Sequence, residues 1–349
     1  MMAEPSSPGL TLPLPMEARL VTELPPPPGW QYEPKWDGFR AIAGRDGGTA
    51  DIRSKSGKSL ARFFPEIVAT LLATSCQRFI VDGELILPAG GVLSFDALQQ
   101  RLHPADSRIE RLSRETPAQL MLFDCLALDG EDLGGAPLHA RRAALERFHR
   151  AEGNDMLLLS PASERLDDAM AWLERSGGAL DGIIAKPLDA PYRSGERAML
   201  KQKNHRSADC VVGGFRRTAD GKGAASLLLG LYDDDGLLHH VGFTSSFKAG
   251  ERPALLDRLL PLAGGPGFTG KAPGGPSRWS RGEESAWEPL HARLVAEVVY
   301  DQVTAGRFRH GTRFLRWRPD KAPGQCLCEQ LQAELRPAEL EALIGRASS

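Results

Sequence analysis

A chain of 349 residues is long enough for two domains, each with a core of its own. Its 42% hydrophobic and 25% charged content places it among ordinary globular proteins, and a net charge of −2 leaves recognition of any polyanion to local basic patches. Five scattered cysteines (Cys76, Cys125, Cys210, Cys326 and Cys328) include no Cys-x-x-Cys pair, which argues against a zinc site and suits a reducing cytosol. The N-terminus has prolines in place of an apolar signal core, and no run reaches membrane-spanning length. A cytoplasmic protein with no membrane partner is therefore expected.

Residues 1–29 contain Pro5, Pro8, Pro13, Pro15 and the run from Pro25 to Pro28. They predict an extended arm with little packing of its own, ordered structure starting near Trp30. Residues 39–43 and 50–53 flank Arg45-Asp46-Gly47-Gly48, a hairpin signature. A helix follows over 65–74 with proline in its first turn. Residues 79–81 and 85–87 read as a strand interrupted by Asp82-Gly83-Glu84, and Ser94 caps a helix running to about 102. The apolar run 120–128, broken by Asp124, predicts a strand buried on both faces. Helices over 139–150 and 166–176 come next, the second stopped by Gly177-Gly178. Short strands over 182–185 and 198–203 enclose a proline-containing loop. Strands and helices mix without regular alternation here, giving an α+β domain of packed antiparallel sheets over 30–206.

From Asp209 the texture changes. Residues 210–215, 226–232, 237–244 and 294–300 are strand-like, and Asp233-Asp234-Asp235-Gly236 forms a hairpin turn. One helix (253–262), a Gly/Pro-rich loop (264–276) and a short closing helix (337–344) complete a second domain, 207–349. Few strands and one internal helix predict a small β-barrel of the OB type.

The stretch Glu33-Pro34-Lys35-Trp36-Asp37-Gly38-Phe39-Arg40 carries the chemistry. Taken alone, Lys-x-Asp-Gly reads equally well as an exposed turn. A lysine that accepts a nucleotide must lose its proton, and neighbouring cations would depress its pKa. Further cations and a metal must hold the triphosphate, carboxylates the metal, and a flat side chain the base. Asp82-Gly83-Glu84 and Asp181-Gly182 place acids in or beside apolar strands, where a solitary carboxylate is costly unless bonded or ligating. Phe123 sits beside Asp124, Lys201 and Lys203 share a strand face by the period-two rule, and Arg316-x-Arg318-x-Asp320-Lys321 is densely cationic. Each feature also has a bland reading as turn, core, solvated face or charged edge; jointly, in this order, they favour a site.

These segments resemble the covalent nucleotidyltransferases, specifically ATP-dependent DNA ligases, and within them the small bacterial LigC type. The resemblance runs from about residue 13 to 330, on Glu33–Arg40 and on stretches 53–60, 81–87, 122–128, 180–187, 197–212 and 307–326. It implies an adenylation domain followed by an OB domain, with Lys35 forming a lysine–AMP phosphoramidate from ATP. It further implies that Glu33 contacts the adenine amino group, Phe123 stacks on the base, and Glu84 meets the ribose or metal. Asp181 matches the acid for Mg2+ or Mn2+, and Lys201 and Lys203 the grip on the α-phosphate. Asp37 and Arg40 match residues that engage the nick, while Arg318 and Lys321 match a cluster that orients pyrophosphate once the second domain closes. Nicked duplex DNA is the implied partner, bound by a monomer at its backbone with Arg53, Lys55 and Lys58 as phosphate contacts. Arg216, Arg217, Lys222 and Lys248 would extend that surface, and a repair polymerase or break-binding protein would recruit the enzyme to the nucleoid.

Two positions depart from the wider family, which usually has glutamate at Asp181 and arginine at Lys55. Competing readings are an RNA ligase or GTP-dependent capping-type enzyme, and, in another class, an inactive OB-containing nucleic-acid-binding protein.

Overall fold

The computed structural model describes residues 10–176, 180–204, 206–274, 286–331 and 336–345. Pro5, Pro8, the Gly177-Gly178 helix stop and the end of the 264–276 loop lie outside them. The chain forms two compact units, Met1–Asn204 with Glu334–Ser349, and His205–Ala333.

The first unit contains, in order, β1 (Ala18–Leu20), β2 (Trp30–Pro34), β3 (Phe39–Asp46), β4 (Thr49–Ser54), α1 (Pro65–Ala73), β5 (Arg78–Ile86), α2 (Phe95–Gln100), α3 (Asp106–Glu115), β6 (Gln119–Leu128), α4 (Leu138–Glu152), β7 (Leu157–Leu159), α5 (Leu166–Arg175), β8 (Gly182–Pro187) and β9 (Met199–Lys203). One sheet runs β7-β6-β5-β3-β4 and the other β1-β9-β8-β2. Pairing is antiparallel apart from β1 with β9 and β7 with β6. Tyr32, Ile183 and Ala185 of the smaller sheet pack with Ile86, Met121 and Phe123 of the larger one, so the sheets meet face to face. α1, α2 and α4 cover the other face of the larger sheet through Ile67, Leu71, Leu98, Leu145 and Phe148.

Three expectations change here. The described part of the N-terminal arm is packed: Leu12 and Met16 are buried, and β1 pairs with β9 more than 170 residues away. Burial of those apolar side chains, along with edge pairing, outweighs the extended bias of the prolines. Asp82-Gly83-Glu84 does not interrupt β5, which is continuous through it. Asp82 finds hydrogen-bond donors in Arg40 and Tyr192, and Gly83 leaves room for the Met121 carbonyl, which a Cβ would meet at 2.7 Å. α3 was not foreseen, because Ile109 is its only buried residue. Ser94 does cap α2, its hydroxyl accepting from the Ala97 amide at 3.2 Å.

The second unit comprises β10 (Arg206–Arg217), β11 (Ala224–Tyr232), β12 (Leu238–Thr244), α6 (Arg252–Leu259), β13 (Val295–Tyr300) and β14 (Arg313–Trp317). Its sheet order is β12-β11-β10-β13-β14, with Glu288–Pro289 added beside β10. Thr244 bridges to Thr312, whose amide donates to the Phe243 carbonyl at 3.0 Å, so the first and last strands of that order meet and the sheet closes. The result is the five-stranded OB barrel with one internal helix. β14 was hidden in sequence by its arginines.

The last helix, α7 (Pro337–Ile344), corrects the assignment of 207–349 to the barrel. Leu340 and Leu343 are buried in the first unit's core, beside Trp172 and Leu180, because that face of α5 offers apolar surface that α7 covers.

Candidate active site

Strand β2 ends immediately before Lys35, and three local contacts hold the segment from Lys35 to Gly38. The Lys35 amide donates to the Gly182 carbonyl at 2.9 Å. Trp36 turns into the core and donates from Nε1 to Ser160 Oγ at 2.9 Å. Gly38 lies so close to β5 that a Cβ would stand 2.0 Å from the Leu85 carbonyl oxygen. The Lys-x-Asp-Gly stretch is thus wedged between the two sheets and is not an exposed turn.

A cleft of about 150 Å³ opens beside it. Of the residues predicted from sequence, it is lined by Glu33, Lys35, Arg40, Lys55, Glu84, Phe123 and Lys201. Lys203 lies two positions along β9, opposite Gly182 in register, and Asp181 immediately precedes β8. The Lys35 ammonium donates to Asp181 Oδ2, while Asp181 Oδ1 is buried without a hydrogen-bond partner.

The charge state of Lys35 differs from expectation. Burial would depress its pKa, but Asp181, then Glu84 and Asp37, outweigh burial and raise it. The acidified amine is Lys201, lowered by burial first and then by Lys35, Lys203 and Lys55. Glu84 is pushed up to about 7 by burial, against the pull of Arg40 and Lys35.

Across the cleft, Glu33 and Lys186 form a buried ion pair at 2.8 Å, each only 2% exposed. Gln31 Nε2 also donates to Glu33 Oε1, at 2.7 Å. Lys186 donates to the Phe123 carbonyl at 3.0 Å and lies 4.7 Å from the ring centroid. The Arg40 guanidinium stands 4.7 Å from the same ring and grips both oxygens of Asp82 at 2.6 Å. On the cleft wall Lys55 pairs with Glu17 at 3.0 Å; outside it, Arg53 pairs with Asp51 at 2.9 Å and Lys58 is exposed.

Arg318 and Lys321 belong to the second unit. Both converge on Asp209, at 2.9 and 2.8 Å, and Arg318 also binds Asp320 at 2.8 Å. The Arg318 guanidinium holds the Asp320 carboxyl down at about 2.

Among the described residues no group of three or more His, Cys, Asp or Glu side chains could hold a metal. Asp181 and Glu84 nonetheless fit a hard cation that takes one or two carboxylates and completes its shell from water and substrate phosphates. The unpartnered Asp181 Oδ1 is the atom such an ion would satisfy. Sequence reasoning missed Met16, Glu17, Gln31, Lys186 and Tyr192. Lys186 had a signal: a lysine ending the apolar run Gly182-Ile183-Ile184-Ala185, a costly place without a partner.

The chain matches two family models, "ATP dependent DNA ligase domain" over residues 17–203 and "ATP dependent DNA ligase C terminal region" over 220–321. It is 43% identical over 335 residues to DNA ligase C2 of Mycolicibacterium smegmatis, covering 91% of this chain and 94% of that protein. Identity to DNA ligase C of Mycobacterium tuberculosis is 42% over 338 residues, covering 92% and 94%. In fold it is similar to a solved Lig E DNA ligase, with a TM-score of 0.53 at 17% identity, covering 88% of this chain and all of that one. The barrel, the wedged lysine and these matches together make the chain a member of the ATP-dependent DNA ligase family.

Proposed function

We propose that Lys35 is the residue on which this DNA ligase carries AMP. The observation that carries the reading is the Lys35 amine held against Asp181 at the mouth of a cleft walled by Phe123, Glu33, Glu84 and Lys201. Asp181 Oδ2 takes one proton from the Lys35 ammonium, the freed Nζ attacks the α-phosphorus of ATP, an N–P bond forms as the bond to pyrophosphate breaks, and the second nitrogen proton leaves with the pyrophosphate. A 5′-phosphate oxygen at a nick then attacks the AMP phosphorus and the N–P bond breaks, returning the lysine. The 3′-hydroxyl attacks the activated 5′-phosphate, and AMP leaves with the strand sealed.

Glu33, paired with Lys186, accepts from the adenine amino group, and Phe123 stacks on the base. Glu84 serves the ribose. Lys201 and Lys203 hold the α-phosphate and absorb its charge. A Mg2+ or Mn2+ ion held by Asp181 and Glu84 would neutralise charge on the triphosphate and on Asp181. Asp37 and Arg40 engage the nick, with Arg53, Lys55 and Lys58 on its phosphates. Arg318 and Lys321 serve the departing pyrophosphate, exchanging Asp209 and Asp320 for it. End joining, named for the LigD relatives, makes DNA break repair the reading for this chain's role, as a cytoplasmic monomer recruited by a polymerase or break-binding protein.

The test is covalent labelling of the purified protein with radioactive ATP and a divalent metal, followed by sealing of nicked duplex DNA against nicked duplex RNA. Labelling is expected from ATP and lost in Lys35→Ala. Labelling from GTP or NAD instead, or preference for the RNA nick, would overturn it. Charge reversal at Arg318 and Lys321 should block self-labelling yet spare sealing of pre-adenylylated DNA; equal loss of both would remove them from the pyrophosphate step.

A further inference from the structure

The hydrogen bonds around Asp82 close a ring. Tyr192, in the loop between β8 and β9, donates its hydroxyl to Asp82 Oδ2 at 2.6 Å. The same hydroxyl accepts the Met16 amide at 2.8 Å. Arg40 donates to both oxygens of Asp82 and, from Nη2, to the Met16 carbonyl at 3.1 Å. Both main-chain groups of Met16 are therefore held by side chains that converge on one carboxylate. Asp82 is fully buried and Met16 is 3% exposed.

This ring borders the cleft. Pro15, Met16, Glu17 and Ala18 form one wall of it, and Arg40 stands over Phe123 in another. The Tyr192 ring is itself fixed, with the Arg141 guanidinium 5.7 Å from its centroid. Burial, then Asp82, holds the phenol well above its usual pKa, so it remains a donor at neutral pH. The wall is also tied by backbone bonds, Glu17 to Glu196 at 2.7 Å and Met199 to Glu17 at 3.1 Å, which do not depend on Tyr192.

We infer that Tyr192 is a positioning residue for the nucleotide: its hydroxyl sets the Met16 wall and the Arg40 guanidinium in one geometry. The inference rests on the reading of Lys35 as AMP acceptor. Tyr192→Phe keeps the packing but leaves the buried Met16 amide without its acceptor and Asp82 short of one donor. The backbone ties keep the fold, and Arg40 keeps both bonds to Asp82. Capture of ATP therefore suffers more than the chemistry on Lys35.

The experiment is single-turnover labelling at varied ATP for wild type and Tyr192→Phe, with melting temperatures measured free and with αβ-methylene ATP. The half-saturating ATP concentration should rise about five- to tenfold while the maximum rate stays within about threefold. The free variant should melt a few degrees below wild type, and the analogue should raise its melting temperature by less than it raises that of wild type. Asp82→Asn should move the same concentration in the same direction. An unchanged half-saturation in Tyr192→Phe, or a fall in maximum rate without it, would overturn the inference. Unlabelled wild-type protein would defeat the Lys35 reading instead, and the analogue's effect on melting would still report on Tyr192.

Discussion

Gly38 carries no side chain because there is no space for one. A Cβ would stand 2.0 Å from the Leu85 carbonyl oxygen and 3.0 Å from Glu84 Cγ, and the backbone oxygen cannot move without disturbing β5. Gly38→Ala should push the Lys35 segment off its seat. A displacement near 1 Å at a reacting group costs about 100-fold, so AMP labelling should fall at least that far while circular dichroism stays native. Near-wild-type labelling would show that the segment tolerates the shift. Lys186 has the opposite problem, a charge that must stay. Lys186→Met would strand Glu33 as an uncompensated buried carboxylate, costing about 3–5 kcal/mol. Urea unfolding measures it, and Lys186→Met with Glu33→Gln should recover much of the loss; a double variant no better than the single would mean that packing, and not charge, was lost.

Elements were legible where a local pattern decides them. The β3–β4 hairpin, the both-faces-buried β6 and the Ser94 cap each arise from residues within a few positions of one another. The elements missed depend on distant partners. β1 exists because it pairs with β9, and α3 carries too narrow an apolar stripe to announce itself. Among the candidate site residues, Lys35, Glu84, Phe123 and Lys201 could be singled out by residue type and order, and the structure brings them to one cleft. The raised pKa of Lys35 was not legible, because sequence counts charges and only geometry puts Asp181 against the amine. The placement of α7 is the sharpest case: its composition suits a closing helix of either unit, and only the burial of Leu340 and Leu343 beside Trp172 decides. Leu343→Ala should cost about 2–4 kcal/mol of first-unit stability. Hydrogen exchange should show that loss in α5 and β8 amides; protection lost from β10–β13 alone would assign the helix to the barrel.

For the whole molecule, two units with separate cores need not answer to pH alike. His240, on β12 of the barrel, is 6% exposed and packs edge-on to Phe268 at 5.2 Å. Its Nδ1 lies 3.0 Å from Arg307 Nη2, and burial, then Arg307 and Arg216, lowers its pKa to about 4. A histidine held neutral in the fold but titrating near 6.5 when unfolded contributes stability above that value. As the pH falls, the unfolded chain takes the proton first, so the contribution is lost progressively from about 6.5 down to 4. The linkage amounts to about 2 kcal/mol between pH 7 and pH 5, all of it in the barrel unit. Urea unfolding of wild type and His240→Phe at both pH values reads it. The wild type should lose about 2 kcal/mol more than the variant on acidification, because phenylalanine cannot titrate. Parallel losses in the two proteins would place the acid sensitivity at other groups.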